Sequence, residues 1–154
     1  MPRFEFDPTK VSASIEIFEK NEYEFQVGEP KSFMRKNRKN EDSYGVRFPL
    51  TIMEGVHKGK RTVFSTYQQS EGAQAMTKQF LMAVLGYEKN RAGEDRFNED
   101  VRGKDWSFDP ETGAVGDIWR EATGQRVYGS LDIAKNDETG DPMQQFKGWR
   151  PIGS

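Results

Sequence analysis

Cysteine is absent from this chain of 154 residues. That excludes disulfides, thiol nucleophiles and cysteine-ligated zinc or iron–sulfur centres. It fits a reducing compartment such as the cytoplasm. Histidine occurs once, as His57, in a glycine-flanked turn with no serine or aspartate placed to complete a triad. No stretch nears the ~20 apolar residues of a membrane-spanning helix. The opening MPRFEFDPTK has no apolar segment of the kind a secretory signal needs. Neither GxxxxGK[ST] nor GxGxxG occurs. Hydrophobic residues make up 34% and mean hydropathy is -0.90, so the apolar complement is lean.

Aromatic residues carry much of it: eleven Phe, five Tyr and three Trp. The length fits one domain, read as a lead-in over 1–20 and a single domain over 21–154. The formal net charge of -2 hides an asymmetry. Residues 31–61 hold nine Lys/Arg against three acids, so the rest of the chain is acidic. A basic sector on an acidic protein is a footprint for an anionic partner, or simply a solvated loop.

Hydrophobic period orders the elements. Residues 11–19 fit either a helix or a strand. In 22–28, Tyr23, Phe25 and Val27 alternate with polar residues, which predicts a half-buried strand. The basic stretch 29–43 reads as a long exposed loop. Tyr44, Val46, Phe48, Leu50 and Ile52 predict a second strand, in which Pro49 implies an edge or a bulge. A turn at Gly55 and Gly59 leads to a third strand over 61–67. Residues 70–86 switch to helical period, with Ser70 as N-cap and Gly86 just past the end. Residues 87–121, with ten acids and six bases, read as an irregular insertion anchored by Trp106, Phe108 and Trp119. Strands over 125–133 and 143–152 flank a hairpin loop at 134–142.

Five strands with one α-helix between the third and fourth is the order of an OB-fold barrel. The basic loop and the 134–142 hairpin then flank a ligand groove floored by strands two and three. Cations that hold phosphates beside rings that stack on bases are what a single-stranded nucleic acid needs. The cationic candidates are Lys31, Arg35, Lys36, Arg38, Lys39, Arg47, Lys58, Lys60, Arg61 and Lys147. The candidate stackers are Phe33, Phe64, Tyr128 and Trp149. Strict alternation puts Tyr128, Lys147 and Trp149 on one outer surface. Each has a plainer role as well: Phe64 suits the core, Phe33 a loop anchor, and Tyr128 and Trp149 a cover for the barrel.

Catalysis and metal binding find little support. The carboxylates Glu94, Asp95, Glu99, Asp100 and Asp105 read as an exposed acidic loop rather than a two-metal site. The run from Asp109 to Gly113 opens like a calcium loop but lacks an oxygen-bearing side chain at its fifth position. No cofactor is expected.

Several runs resemble the single-stranded DNA-binding proteins of bacteriophages that have an OB fold. These are Glu22-Tyr23-Glu24-Phe25, the turn Glu54-Gly55-Val56-His57-Lys58-Gly59-Lys60, Leu85-Gly86, Gly124-Gln125-Arg126-Val127, and Phe146-Lys147-Gly148-Trp149-Arg150-Pro151. The resemblance spans roughly residues 20–152. It implies sequence-independent coating and protection of single-stranded DNA during phage replication and recombination, in the cytoplasm of an infected bacterium. It leaves replication or recombination proteins, and further copies of the chain, open as partners. Many such proteins carry an acidic C-terminal tail that recruits partners; residues 149–154 contain no acid, which points away from that route. The competing expectation is an interaction module, an adaptor or inhibitor, that binds an acidic protein surface.

Overall fold

A computed structural model describes residues 9, 17–36, 39–67, 70–137 and 139–153. The helix-or-strand alternative over 11–19 lies mostly outside these residues, as does Arg38. The chain runs β1 (Asn21–Val27), β2 (Lys31–Lys36), β3 (Asp42–Ile52), β4 (Arg61–Tyr67), α1 (Glu71–Val84), α2 (Arg91–Asp100), β5 (Phe108–Asp109), β6 (Ala114–Val115), α3 (Asp117–Arg120), β7 (Arg126–Lys135) and β8 (Pro142–Pro151). It is mainly β. Among the described residues no helix is long and apolar enough to cross a membrane.

The alternation in β1 works as the sequence predicts, burying Tyr23, Phe25 and Val27. The basic stretch does not form a long loop. Its first part is β2, paired antiparallel with β3 from Lys31 opposite Arg47 to Lys36 opposite Asp42. The connection between them shrinks to residues 37–41. β1 also pairs with β3, ending at Val27 opposite Leu50. From there to Lys31 opposite Arg47, four steps on one strand face three on the other. That one-residue excess is a bulge. Gly28 sits in it and donates its N–H to the carbonyl of Pro49 at 2.7 Å. A Cβ on Gly28 would come within 2.7 Å of the Pro49 ring. Pro49 therefore lies in a central strand, and the bulge lies opposite the position where it lacks a donor.

Among the described residues the main sheet has six strands rather than five, in the order β2-β3-β1-β7-β8, with β4 on the other edge of β3. It is not a closed barrel: among the described residues β4 and β8 are not paired. Helix α1 packs against both. Among the described residues three helices, not one, separate β4 from β7. The 87–121 segment is not irregular either, since it holds α2, the β5–β6 hairpin and α3. Its anchors are the expected rings, helped by Phe97 and Ile118: Trp119 is buried and donates its indole N–H to the Trp106 carbonyl at 2.9 Å.

Both ends of α1 follow from single residues. Ser70 accepts the Ala73 N–H on its hydroxyl at 3.1 Å. At the other end Gly86 has φ of 86°. The Tyr87 N–H bonds to the Met82 carbonyl and the Gly86 N–H to the Ala83 carbonyl, a Schellman closure that needs a left-handed residue there. The last turns of α1 bring Phe80 into a nest of rings. Phe48, Phe64 and Trp149 have centroids 4.8, 4.9 and 4.7 Å from it.

Candidate nucleic-acid interface

Residues paired across an antiparallel sheet project to the same side. The β2–β3–β4 registers therefore define one outer face. It carries Lys31, Phe33 and Arg35 from β2, Ser43, Gly45, Arg47, Pro49 and Thr51 from β3, and Arg61, Val63, Ser65 and Tyr67 from β4. None of these is an acid. The opposite side of the same strands holds the buried Val46, Phe48, Leu50, Ile52 and Phe64.

Gly45 sits between Phe33 and Tyr67 in the register. A Cβ at that position would collide with the Thr66 carbonyl. With no side chain between them, the two rings meet edge to face, 5.4 Å apart at 88°. The Arg47 guanidinium lies 5.1 Å above Phe33, and that of Arg35 lies 5.3 Å above Tyr67. Rings and cations thus alternate across three strands, held by cation–π attraction. Phe33 is 6% exposed, because Arg47 and Tyr67 cover it. Tyr67 is half-buried, while Lys31, Arg35, Arg47 and Arg61 are exposed.

The other sequence candidates fall elsewhere. Lys36 faces the opposite side and is tied to Asp42 at 2.6 Å. Lys39 is exposed in the β2–β3 connection, and Lys58 and Lys60 in the β3–β4 turn. Phe64 is a core residue, because the outward position beside it is taken by Val63. Trp149 is also inside, at 3% exposure, stacked on Phe146 at 5.1 Å and 18°. Strict alternation sets these two rings on opposite faces. The register slips instead: Ser130 pairs with Gly148 and Leu131 with Phe146, leaving Lys147 unpaired as an extra residue. The slip turns both rings inward and Lys147 outward.

Tyr128 stays on the outer surface but at the far end of the sheet, away from the basic face. Arg150 lies 4.2 Å over its ring. Glu22 binds that guanidinium through both oxygens, at 2.8 and 2.6 Å. This contact holds the Glu22 carboxyl below its ordinary pKa, against a weaker opposing effect of burial. Glu24 is the register partner of Tyr128 and pairs with Arg126 at 3.4 Å. The arginines beside Tyr128, Arg126 and Arg150, are thus paired with acids of β1, unlike the cations of the β2–β3–β4 face.

His57 contacts the Glu19 carboxylate at 2.9 Å and packs beside Phe18. Among the described residues no group of three His, Cys, Asp or Glu is gathered to hold a metal. Tyr67 is the member of the basic face that sequence reasoning passed over. Its signal was present in the Arg61–Tyr67 run, where Val63, Ser65 and Tyr67 alternate with Phe64 and Thr66. No family model matches the chain, and no curated protein matches it significantly.

Proposed function

We propose that the chain binds single-stranded DNA, largely without sequence preference, on the outer face of β2, β3 and β4. The observation that carries this is the acid-free face on which Lys31, Arg35, Arg47 and Arg61 are interleaved with Phe33 and Tyr67. Exposed cations meet phosphates and release counterions. Aromatic faces accept any base, which makes stacking tolerant of sequence. Tyr67 is the accessible platform. Phe33 becomes one when Arg47 swings from its ring to a phosphate.

The strand order supports an OB-type reading of the sheet. With β1 and β2 counted as one strand bent at the 28–30 bulge, five strands remain, and α1 follows the third. On that reading β3 and β4 are the groove floor and residues 39–41 belong to its first loop. The role we assign is that of a binding protein rather than an enzyme. It coats and protects DNA during phage replication or recombination, in the infected bacterial cytoplasm.

The test is anisotropy of a labelled dT oligomer of about 30 nucleotides, longer than the roughly 4–16 one such fold occupies, with duplex as control. A labelled oligomer is needed because no tryptophan lies on this face: Trp119 and Trp149 are buried, and Trp106 packs against Trp119. Saturable binding that weakens with salt is expected, with little response to duplex. Tyr67→Ala should weaken it by roughly 5- to 150-fold, the worth of one stacked base, and Tyr67→Phe should not. No binding at low salt would refute the reading and leave an acidic protein surface as the ligand of this face.

A further inference from the structure

A second cationic group lies outside that face. Glu22, Lys89, Ser130, Lys147, Gly148 and Arg150 line a recess of about 340 Å³ on the β7–β8 end of the sheet. Three of these are cations and one is an acid. The acid, Glu22, has both oxygens engaged by Arg150. The two lysines come from unrelated places. Lys89 lies on the connection between α1 and α2, and Lys147 is the residue that the β8 bulge extrudes. Among the described residues neither has a carboxylate within ion-pair distance, and both are exposed.

Gly148 keeps the floor open. A Cβ there would meet nothing closer than the Lys89 ammonium at 3.8 Å. The Ser130 hydroxyl, a donor, stands on the register partner of Gly148. A recess with two unpaired ammonium groups, an anchored guanidinium and a hydroxyl fits an oxyanion. Its β8 residues Lys147 and Arg150 are separated from β3 by β1 and β7, which at about 4.8 Å per strand is roughly 14 Å around the sheet.

We infer that this recess is a second phosphate contact, which holds the backbone of the same single strand after it leaves the β2–β3–β4 face. The inference rests on the function proposed above. It gives Lys147 a role distinct from that of the basic face and brings in Lys89, Ser130 and Gly148. A short oligonucleotide fills the basic face alone, whereas a long one reaches both.

The experiment compares wild type with the double variant Lys89→Ala/Lys147→Ala on dT oligomers of about 8 and about 30 nucleotides, across a salt series. Each phosphate contact contributes about 0.7 to the salt slope for a single strand. The double variant should therefore lose about 1.4 from the slope on the long oligomer and nothing on the short one. Gly148→Glu sets a carboxylate in open space and should weaken only the long complex. Unfolding midpoints of both variants should match wild type. An unchanged slope on the long oligomer, with wild-type binding intact, overturns the second contact alone. An equal loss on both lengths also overturns it, since the recess would then belong to the first contact. Saturable thermal stabilisation of wild type by inorganic phosphate, together with an unchanged dT slope, would assign the recess to a free oxyanion instead. Absence of any wild-type dT binding overturns this inference and the proposed function together.

Discussion

Removal of the four cations of the basic face tests its electrostatic role quantitatively. Lys31, Arg35 and Arg61 are changed to Ala, and Arg47 to Gln. The gentler change at Arg47 keeps a stem over Phe33, which is 6% exposed largely because Arg47 covers it. Each cation that neutralises one phosphate of a single strand contributes about 0.7 to the slope of log affinity against log salt. Four contacts make about 2.8. Between 50 and 200 mM salt, a fourfold change, wild type should lose roughly 50-fold more affinity than the variant. The substituted side chains are exposed, so stability should fall by no more than about 1–2 kcal/mol, the worth of the two lost cation–π contacts at about 0.5–1 kcal/mol each. The assay is anisotropy of labelled dT at four or five salt concentrations, with thermal unfolding as the check on folding. A quadruple variant whose slope equals that of wild type would show that these side chains do not meet phosphates.

Two further outcomes test the sheet's other end. Gly129→Ala would push a Cβ to 2.6 Å from the Trp149 ring and 2.9 Å from that of Phe25. An overpacking cost of about 1–3 kcal/mol should appear in chemical denaturation, and an unchanged midpoint would contradict the packing described. Glu22→Gln removes a carboxyl whose folded-state pKa is depressed by Arg150. Such a group adds stability above its unfolded pKa of about 4.3, and the gain is lost as pH falls through the lower folded value. Wild type should thus exceed the variant by less than about 1 kcal/mol at neutral pH, since the pair is partly exposed, and the gap should close in acid; a gap that widens in acid would reverse the sign.

Legibility in the sequence tracked how strictly each element obeys its period. β1 and β3 alternate cleanly, and the apolar residues the alternation picks out are buried except Tyr44, which is exposed near the start of β3; β4 alternates too, but one of its buried residues is the candidate stacker Phe64. Ser70 and Gly86 mark the ends of α1 because a cap hydroxyl and a left-handed residue are local requirements, visible without tertiary context. β2 was hidden because both its faces are polar or charged at several positions. Lys31, Arg35 and Lys36 disguise a strand whose reason for existing is the β3 ladder beside it. Trp149 is misplaced by alternation for the opposite reason, while Phe146 lies inward as the alternation has it. The phase is locally perfect, and a single extra residue at Lys147 inverts it for Trp149. A bulge of this kind leaves only a weak mark, here the glycine at position 148. In the candidate site, the basic residues were legible as a charge excess. Their sorting into Lys31, Arg35, Arg47 and Arg61 on one face, with Lys36 on the other, needed the register.

The seam between β4 and β8 has a mechanical consequence. Elsewhere the main sheet is laced by backbone ladders, but here it is shut by side chains alone: Phe64 of β4 meets Phe146 and Trp149 of β8, and Phe80 of α1 packs on Phe64 and Trp149. Phe80 and its neighbours in α1 act as a wedge, and a wedge can back out without breaking a ladder. Amide protons along the outer rim of β4 should therefore exchange through small excursions of α1 rather than through global unfolding. β4 also supplies Arg61 and Tyr67 to the basic face. Any ligand that stiffens β4 thus shares a free-energy account with the seating of α1, and each must favour the other to the same degree.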